Sequence, residues 1–191
     1  MEPRELVDRA IALGLDGVAV TDHDSLWTPG LVSDMKEYAD SKGGLIFING
    51  QEVRSREGCD FLVFGAGATI ECYKYSNIEL ADMLSKSGIP VIAAHPLRDG
   101  FSFGDDLYRL DFTAIEVFNN REKKDEETLL ELVKRKKINT IGGSDSHDWS
   151  RVGRIVTEFE DPVDGVEKLV ESLFSGRYRA VRRQIDPMAI S

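Results

Sequence analysis

Histidine is scarce in this 191-residue chain, which has three: His23, His95 and His147. Cysteine is scarcer, with Cys59 and Cys72 alone. They lack metal-binding spacing, which argues against a disulfide framework and for reduced thiols. Basic charge is also short: 24 Lys and Arg against 34 Asp and Glu give a formal charge of −10. A broad basic surface for duplex nucleic acid is thereby excluded, but not a short nucleotide in a pocket whose metals bring the positive charge. No apolar run approaches the roughly 20 residues of a membrane helix, and no charged-then-apolar leader opens the chain. The expected setting is the cytoplasm, with no membrane partner. No Gly-rich phosphate loop follows a strand, which counts against a nucleotide-cofactor enzyme.

What is present is ordinary for a globular protein: 41% hydrophobic and 30% charged residues, enough chain for one core. A single domain over 1–191 is expected, with a tail from about residue 184. Apolar spacing and stop signals predict helices over about 1–15, 31–39, 76–86 and 125–137, and one starting at Pro162. Strands are expected over 17–20, 45–48, 61–64, 90–94, 114–118, 139–142, 154–159 and 178–181. The strands around the polar stretch 52–60 read as a hairpin, and 97–110 as a long loop over the site. Alternating strands and helices indicate an α/β fold with a largely parallel sheet.

Each histidine follows a short apolar strand. Val18-Ala19-Val20 leads to Thr21-Asp22-His23-Asp24, Val91-Ile92-Ala93-Ala94 to His95-Pro96, and Thr140-Ile141-Gly142-Gly143 to Ser144-Asp145-Ser146-His147. Leu45-Ile46-Phe47-Ile48 runs on to Glu52 in the same way. Carboxylate and imidazole donors gathered at strand C-termini suit Zn²⁺, Mn²⁺ or Fe²⁺, and barrels and open α/β sheets alike build their sites there. His23, Glu52, His95, Asp145 and His147 are therefore expected to share one pocket. Arg98, three residues past His95, is the best-placed fork for a phosphate, ahead of Arg54, Arg56, Arg121 and Arg151. Asn119, at a strand end, is a candidate to orient substrate.

The stretch Gly14–Asp24, then Gly50-Gln51-Glu52-Val53, Ala94-His95-Pro96, Gly143–His147 and Ser175–Val181 together resemble the polymerase-and-histidinol-phosphatase (PHP) family of metal-dependent phosphoesterases, in family order over essentially the whole chain. The resemblance implies a distorted (β/α)7-type barrel, up to three divalent metals at its C-terminal face, and hydrolysis of a phosphate ester. It makes Glu52 the bridge between two metals, with His95 on one and Asp145 on the other. His23 and His147 would share a third, and Asp22 would be an outer or occasional ligand. Asp22, Glu52 and Asp145 are the candidate catalytic carboxylates.

The departures carry equal weight. The family's opening strand, with His-x-His and a following Ser-Asp-Gly loop, has no counterpart here, so the barrel is expected to be N-terminally truncated. A further histidine beyond the bridging glutamate is also missing, and Asp60 is the nearest polar residue. Either the start lies too far downstream or the member is a naturally shortened one. Fewer and weaker metals are expected, together with a homodimer through the exposed sheet edge. The first functional expectation is hydrolysis of a small phosphate monoester, nucleotide or short oligonucleotide. Metal-assisted amide hydrolysis and a catalytically idle binding module are the alternatives.

Overall fold

The computed structural model describes residues 2–23, 25–119 and 126–185. Arg121, Asp24, the helix start expected at residue 125 and the tail beyond residue 185 lie outside them. Chain order gives α1 (Pro3–Ala12), β1 (Gly17–His23), α2 (Pro29–Ser41), β2 (Ile46–Arg54), β3 (Asp60–Phe64), α3 (Asn77–Lys86) and β4 (Ile92–Ala93). There follow α4 (Asp106–Arg109), β5 (Ala114–Phe118), α5 (Glu126–Lys136), β6 (Asn139–Gly142), β7 (Ile155–Phe159), α6 (Val166–Ser175) and β8 (Tyr178–Arg182).

Local chemistry sets the ends. Pro29 follows Thr28, whose hydroxyl accepts from the Leu31 amide at 3.4 Å to cap α2. Ser76 and Glu79 form a capping box at α3. Pro162 does not start a helix, because α6 begins only after Gly165. The strands β1 and β2 run further than apolar content alone predicts, through Thr21–His23 and Asn49–Arg54. These polar residues stay extended because each finds a ladder partner: Thr21 faces Gly50, and His23 faces Glu52. Gly50 is needed, since a Cβ there would stand 2.6 Å from the Phe64 ring opposite it.

Strands β1 to β6 form one sheet in chain order, curled into half a barrel, and β7–β8 form a separate antiparallel pair. Three of its five ladders are parallel (β1–β2, β4–β5 and β5–β6), whereas β3 runs antiparallel to both β2, as the expected hairpin, and β4. A short hairpin joins β2 to β3, and a two-stranded antiparallel turn requires no crossover helix. The architecture is mixed α/β. Among the described residues β1 is an edge, with β2 as its ladder partner.

Strand alternation then divides the core. Ile48, Phe64, Ile92, Ala114 and Ile141 cluster on one face with Leu169 and Leu173 of α6. Val53, Phe61, Val63, Ala93, Ile115 and Val117 point the other way, against α3 and α5. Phe61, Phe103 and Phe112 add edge-on ring contacts there, with centroids 5.0 and 5.4 Å apart along the series. The helices α1 and α2 cover β1 and β2 through Val7, Ala10, Met35 and Ala39. Leu173 is 2% exposed, so Leu173→Ala should cost about 2–5 kcal/mol in chemical denaturation. A loss under about 1 kcal/mol would mean that α6 is not part of the cooperative core.

Candidate metal centre

The site is laid out by register. His23, the last residue of β1, stands opposite Glu52, and Arg54 stands opposite Asp60 across the hairpin. Residues two apart share a face, so Glu52 and Arg54 project on the side of Ile48 and Phe64, whose cluster forms the floor. His95 follows β4, held near the hairpin by the Ala94 amide donating to the Asp60 carbonyl at 3.0 Å.

These elements bring four side chains together. His95 Nε2 lies 2.8 Å from Glu52 Oε1 and 3.6 Å from Asp60 Oδ2, while His23 Nε2 lies 3.6 Å from Glu52 Oε2. One donor atom from each of His23, Glu52 and Asp60 falls within 4.8 Å of the others. Glu52, Asp60 and His95 are buried, and the His23 side chain is 40% exposed, so the cluster opens to solvent on one side.

Two carboxylates and two imidazoles are a fitting donor set for a divalent transition metal. The nitrogen that His95 turns to this donor set is Nε2, while its other ring nitrogen, Nδ1, is buried without a hydrogen-bond partner. Burial pulls the His95 imidazole pKa down, but the Glu52 hydrogen bond and the Glu116, Glu52 and Asp60 charges outweigh it and raise the value.

Asp60 is the member of this cluster that sequence reasoning missed. In the sequence it stands out only as the polar residue nearest to the position of the missing histidine. The signal was the hairpin: with Glu52 on β2 and a short loop after Arg54, position 60 returns beside the same strand end. Asp60 is not a bare carboxylate. Arg54 donates from Nε to Oδ1 and from Nη2 to Oδ2, both at 2.7 Å, with Asp60 fully buried. That hydrogen bonding raises the Arg54 pKa further and keeps the guanidinium charged.

The other predicted residues are placed as follows. Asp145 and His147 form a neighbouring pair, with His147 Nδ1 3.6 Å from Asp145 Oδ1. Among the described residues no group of three ligating side chains includes either. Asp22 alternates to the face opposite His23 and accepts from the Trp27 indole N–H at 2.6 Å. Arg98 is half-buried, its guanidinium 4.9 Å from the Phe101 ring centre. Among the described residues Arg98 makes no salt bridge to a carboxylate, whereas Arg56 pairs with Glu79 and Arg151 with Asp148. Asn119 is buried and donates from Nδ2 to Glu116 Oε2 at 3.0 Å.

Glu116, the middle residue of β5, carries no signal in the sequence because it lies inside an apolar strand. Burial pushes its carboxyl from the ordinary 4.5 up to about 7, against the opposing pull of His95 and Asn119. A carboxyl with a raised folded-state pKa stabilises the fold fully below 4.5 and loses that contribution as pH climbs to about 7. Glu116→Gln should remove this slope in metal-free protein. Its stability relative to the parent is then expected to improve between about pH 5 and about pH 7.5 in urea melts. A difference independent of pH would show that Glu116 is ionised throughout.

Residues 117–178 match a family model described as PHP-associated. No curated protein matches the chain in sequence. Among solved structures, PsfC from Pseudomonas syringae PB-5123 superposes with a TM-score of 0.73 at 20% identity, over 98% of this chain and 85% of that one. A Bifidobacterium adolescentis protein assigned as a metal-dependent phosphoesterase gives 0.59 at 17% identity, over 97% and 92%. The lesion-specific endonuclease PfuEndoQ from Pyrococcus furiosus gives 0.61 at 16%, over 96% of this chain and 54% of that one. At these identities the superpositions show a shared fold. Together with the PHP-associated match, that fold bears out the resemblance to the PHP family carried by the motifs.

Proposed function

We propose that this chain is a metal-dependent phosphoesterase acting on a small phosphate monoester, nucleotide or short oligonucleotide. The observation that carries this reading is the convergence of His23, Glu52, Asp60 and His95 at the ends of adjacent strands. These four would hold a divalent cation of the Zn, Mn or Fe type, with Asp145 and His147 as the candidate pair for another. Bound there, the cation supplies Lewis-acid polarisation of a phosphoryl oxygen and makes water more acidic.

The chain's own residues do the rest. Glu52, between the two imidazoles, fixes their orientation, and Arg54 holds Asp60 in place. Arg98 offers a planar fork for two phosphate oxygens, its reach set by stacking on Phe101. Glu52 and Asp145 are the carboxylates we assign to the reaction. Asp22 shapes the β1 loop through Trp27, and Asn119 acts at the end of β5. A chain of formal charge −10 offers no broad basic surface for a duplex, and a short phosphate would rely on the cation and Arg98 for positive charge; the open β1 edge is the surface through which two copies would pair. Among the described residues no helix is long and apolar enough to cross a membrane.

The test is turnover by chelator-treated protein supplied with Mn²⁺ or Zn²⁺, offered p-nitrophenyl phosphate, mononucleotides and short oligonucleotides. Release of phosphate or nucleotide that requires metal is expected, with Arg98→Ala raising KM about tenfold or more, the loss of one charged hydrogen-bond pair. Metal binding without turnover of any phosphate ester would leave the idle binding module. Turnover of amides alone would leave an amidohydrolase.

A further inference from the structure

We propose that Glu116 is the positioning residue of this site, a single carboxyl that fixes the two ligand-bearing turns on either side of it. The inference rests on the metal-centre reading above and concerns how that centre is held. In the sheet β5 lies between β4, which delivers His95, and β6, which delivers Asp145.

Both turns are strained. His95 has φ +27° and Asp145 φ +41°, in the left-handed region where side-chain-bearing residues pay a steric cost. Something must hold them there. At His95 it is Glu116: Oε2 accepts the His95 amide at 2.9 Å and the Asn119 Nδ2 at 3.0 Å. On the other side, Oε1 lies so close to Gly143 that a Cβ at that position would overlap it. Gly143 is itself tied to β5 by its amide, which donates to the Phe118 carbonyl at 3.1 Å. The turn carrying Asp145 thus starts against the carboxyl that also fixes the turn carrying His95. Glu116 is 4% exposed and belongs to no group of three ligating side chains among the described residues, so its effect passes through these two turns. The glycine before Ser144 is explained by the same contact.

The experiment is calorimetric titration of Mn²⁺ or Zn²⁺ into chelator-treated full chain, comparing the parent with Glu52→Ala, Glu116→Ala, Glu116→Gln, Gly143→Ala and the Glu116→Ala/Gly143→Ala double variant. Glu116→Ala is expected to weaken metal binding about 10- to 100-fold, the range seen for groups that orient metal ligands. Glu116→Gln keeps an oxygen for the His95 and Asn119 donors and should bind within about threefold of the parent, well inside the ordinary effect of losing such a group. Gly143→Ala should weaken binding by displacing the carboxyl. Adding it to Glu116→Ala should cost nothing further, because the clash partner is gone. If Glu116→Ala melts lower yet binds metal like the parent, or Gly143→Ala adds its full effect to Glu116→Ala, the positioning role is wrong. If Glu52→Ala also binds like the parent, it is the metal-centre reading that fails. Should Glu116→Ala not fold, Gly143→Ala decides: parent-like affinity overturns the proposal, and weakened affinity supports it.

Discussion

Glu52→Ala is expected to abolish specific divalent-metal binding and to cut metal-dependent phosphatase turnover by at least about a thousandfold, or roughly 4 kcal/mol of transition-state stabilisation. Its side chain is the one that touches both imidazoles, at 2.8 Å for His95 and 3.6 Å for His23. Removing it separates the two histidines and leaves Asp60 as the remaining carboxylate of the group, already engaged by Arg54. Two neutral ligands and one shared carboxylate fall short of the three firm ligands typical of a catalytic metal. Metal content by elemental analysis and turnover under excess substrate are the two readouts. Retention of metal with loss of turnover would make Glu52 an acid–base group rather than a ligand.

The second large effect concerns the ion pair under the site. Arg54→Met leaves Asp60 fully buried with its bidentate partner gone, and breaking such a pair costs about 3–5 kcal/mol. For a chain of this size the melting temperature should fall by about 10 °C. The same change frees both Asp60 oxygens for a cation. Saturating Mn²⁺ should therefore restore more of the melting temperature to Arg54→Met than it adds to the parent, since stabilisation by a ligand grows with the logarithm of its affinity for the folded form. An equal metal-induced shift in both proteins would show that Asp60 lies outside the metal's reach. The packing of Phe101, 4.3 Å from the Arg54 guanidinium carbon, makes methionine a better replacement than alanine, because it keeps an apolar surface under the ring.

Much of the fold was legible because the strands are short apolar runs ended by glycine, proline or polar residues. The hairpin before and after Gly58, the capping box at Ser76 and the strand leading to Gly142 all follow from local chemistry. The continuation of β1 and β2 was not legible, since Thr21-Asp22-His23 and Asn49–Arg54 look like loop until their partners in register are known. Polar residues at strand ends are extended here by non-local pairing, which a single sequence does not display. The site shows the same division. His23, Glu52 and His95 could be read from their shared position after strands, and the structure brings these three together. Asp60 was open to reading only through the hairpin, whose register sets it opposite Arg54, and Glu116 could not be read at all, because its place depends on being the carboxyl between two neighbouring strands. Asp22 was read beside His23 in the chain, but alternation sends it to the other face, onto Trp27.

Anomalous diffraction from crystals grown with Mn²⁺ or Zn²⁺ will show whether His23, Glu52, Asp60 and His95 hold a catalytic metal. A peak is expected about 2.0–2.6 Å from donor atoms of at least three of these four residues. A peak confined to exposed carboxylates elsewhere, or none at these strand ends in protein that still hydrolyses phosphate esters, would contradict that expectation.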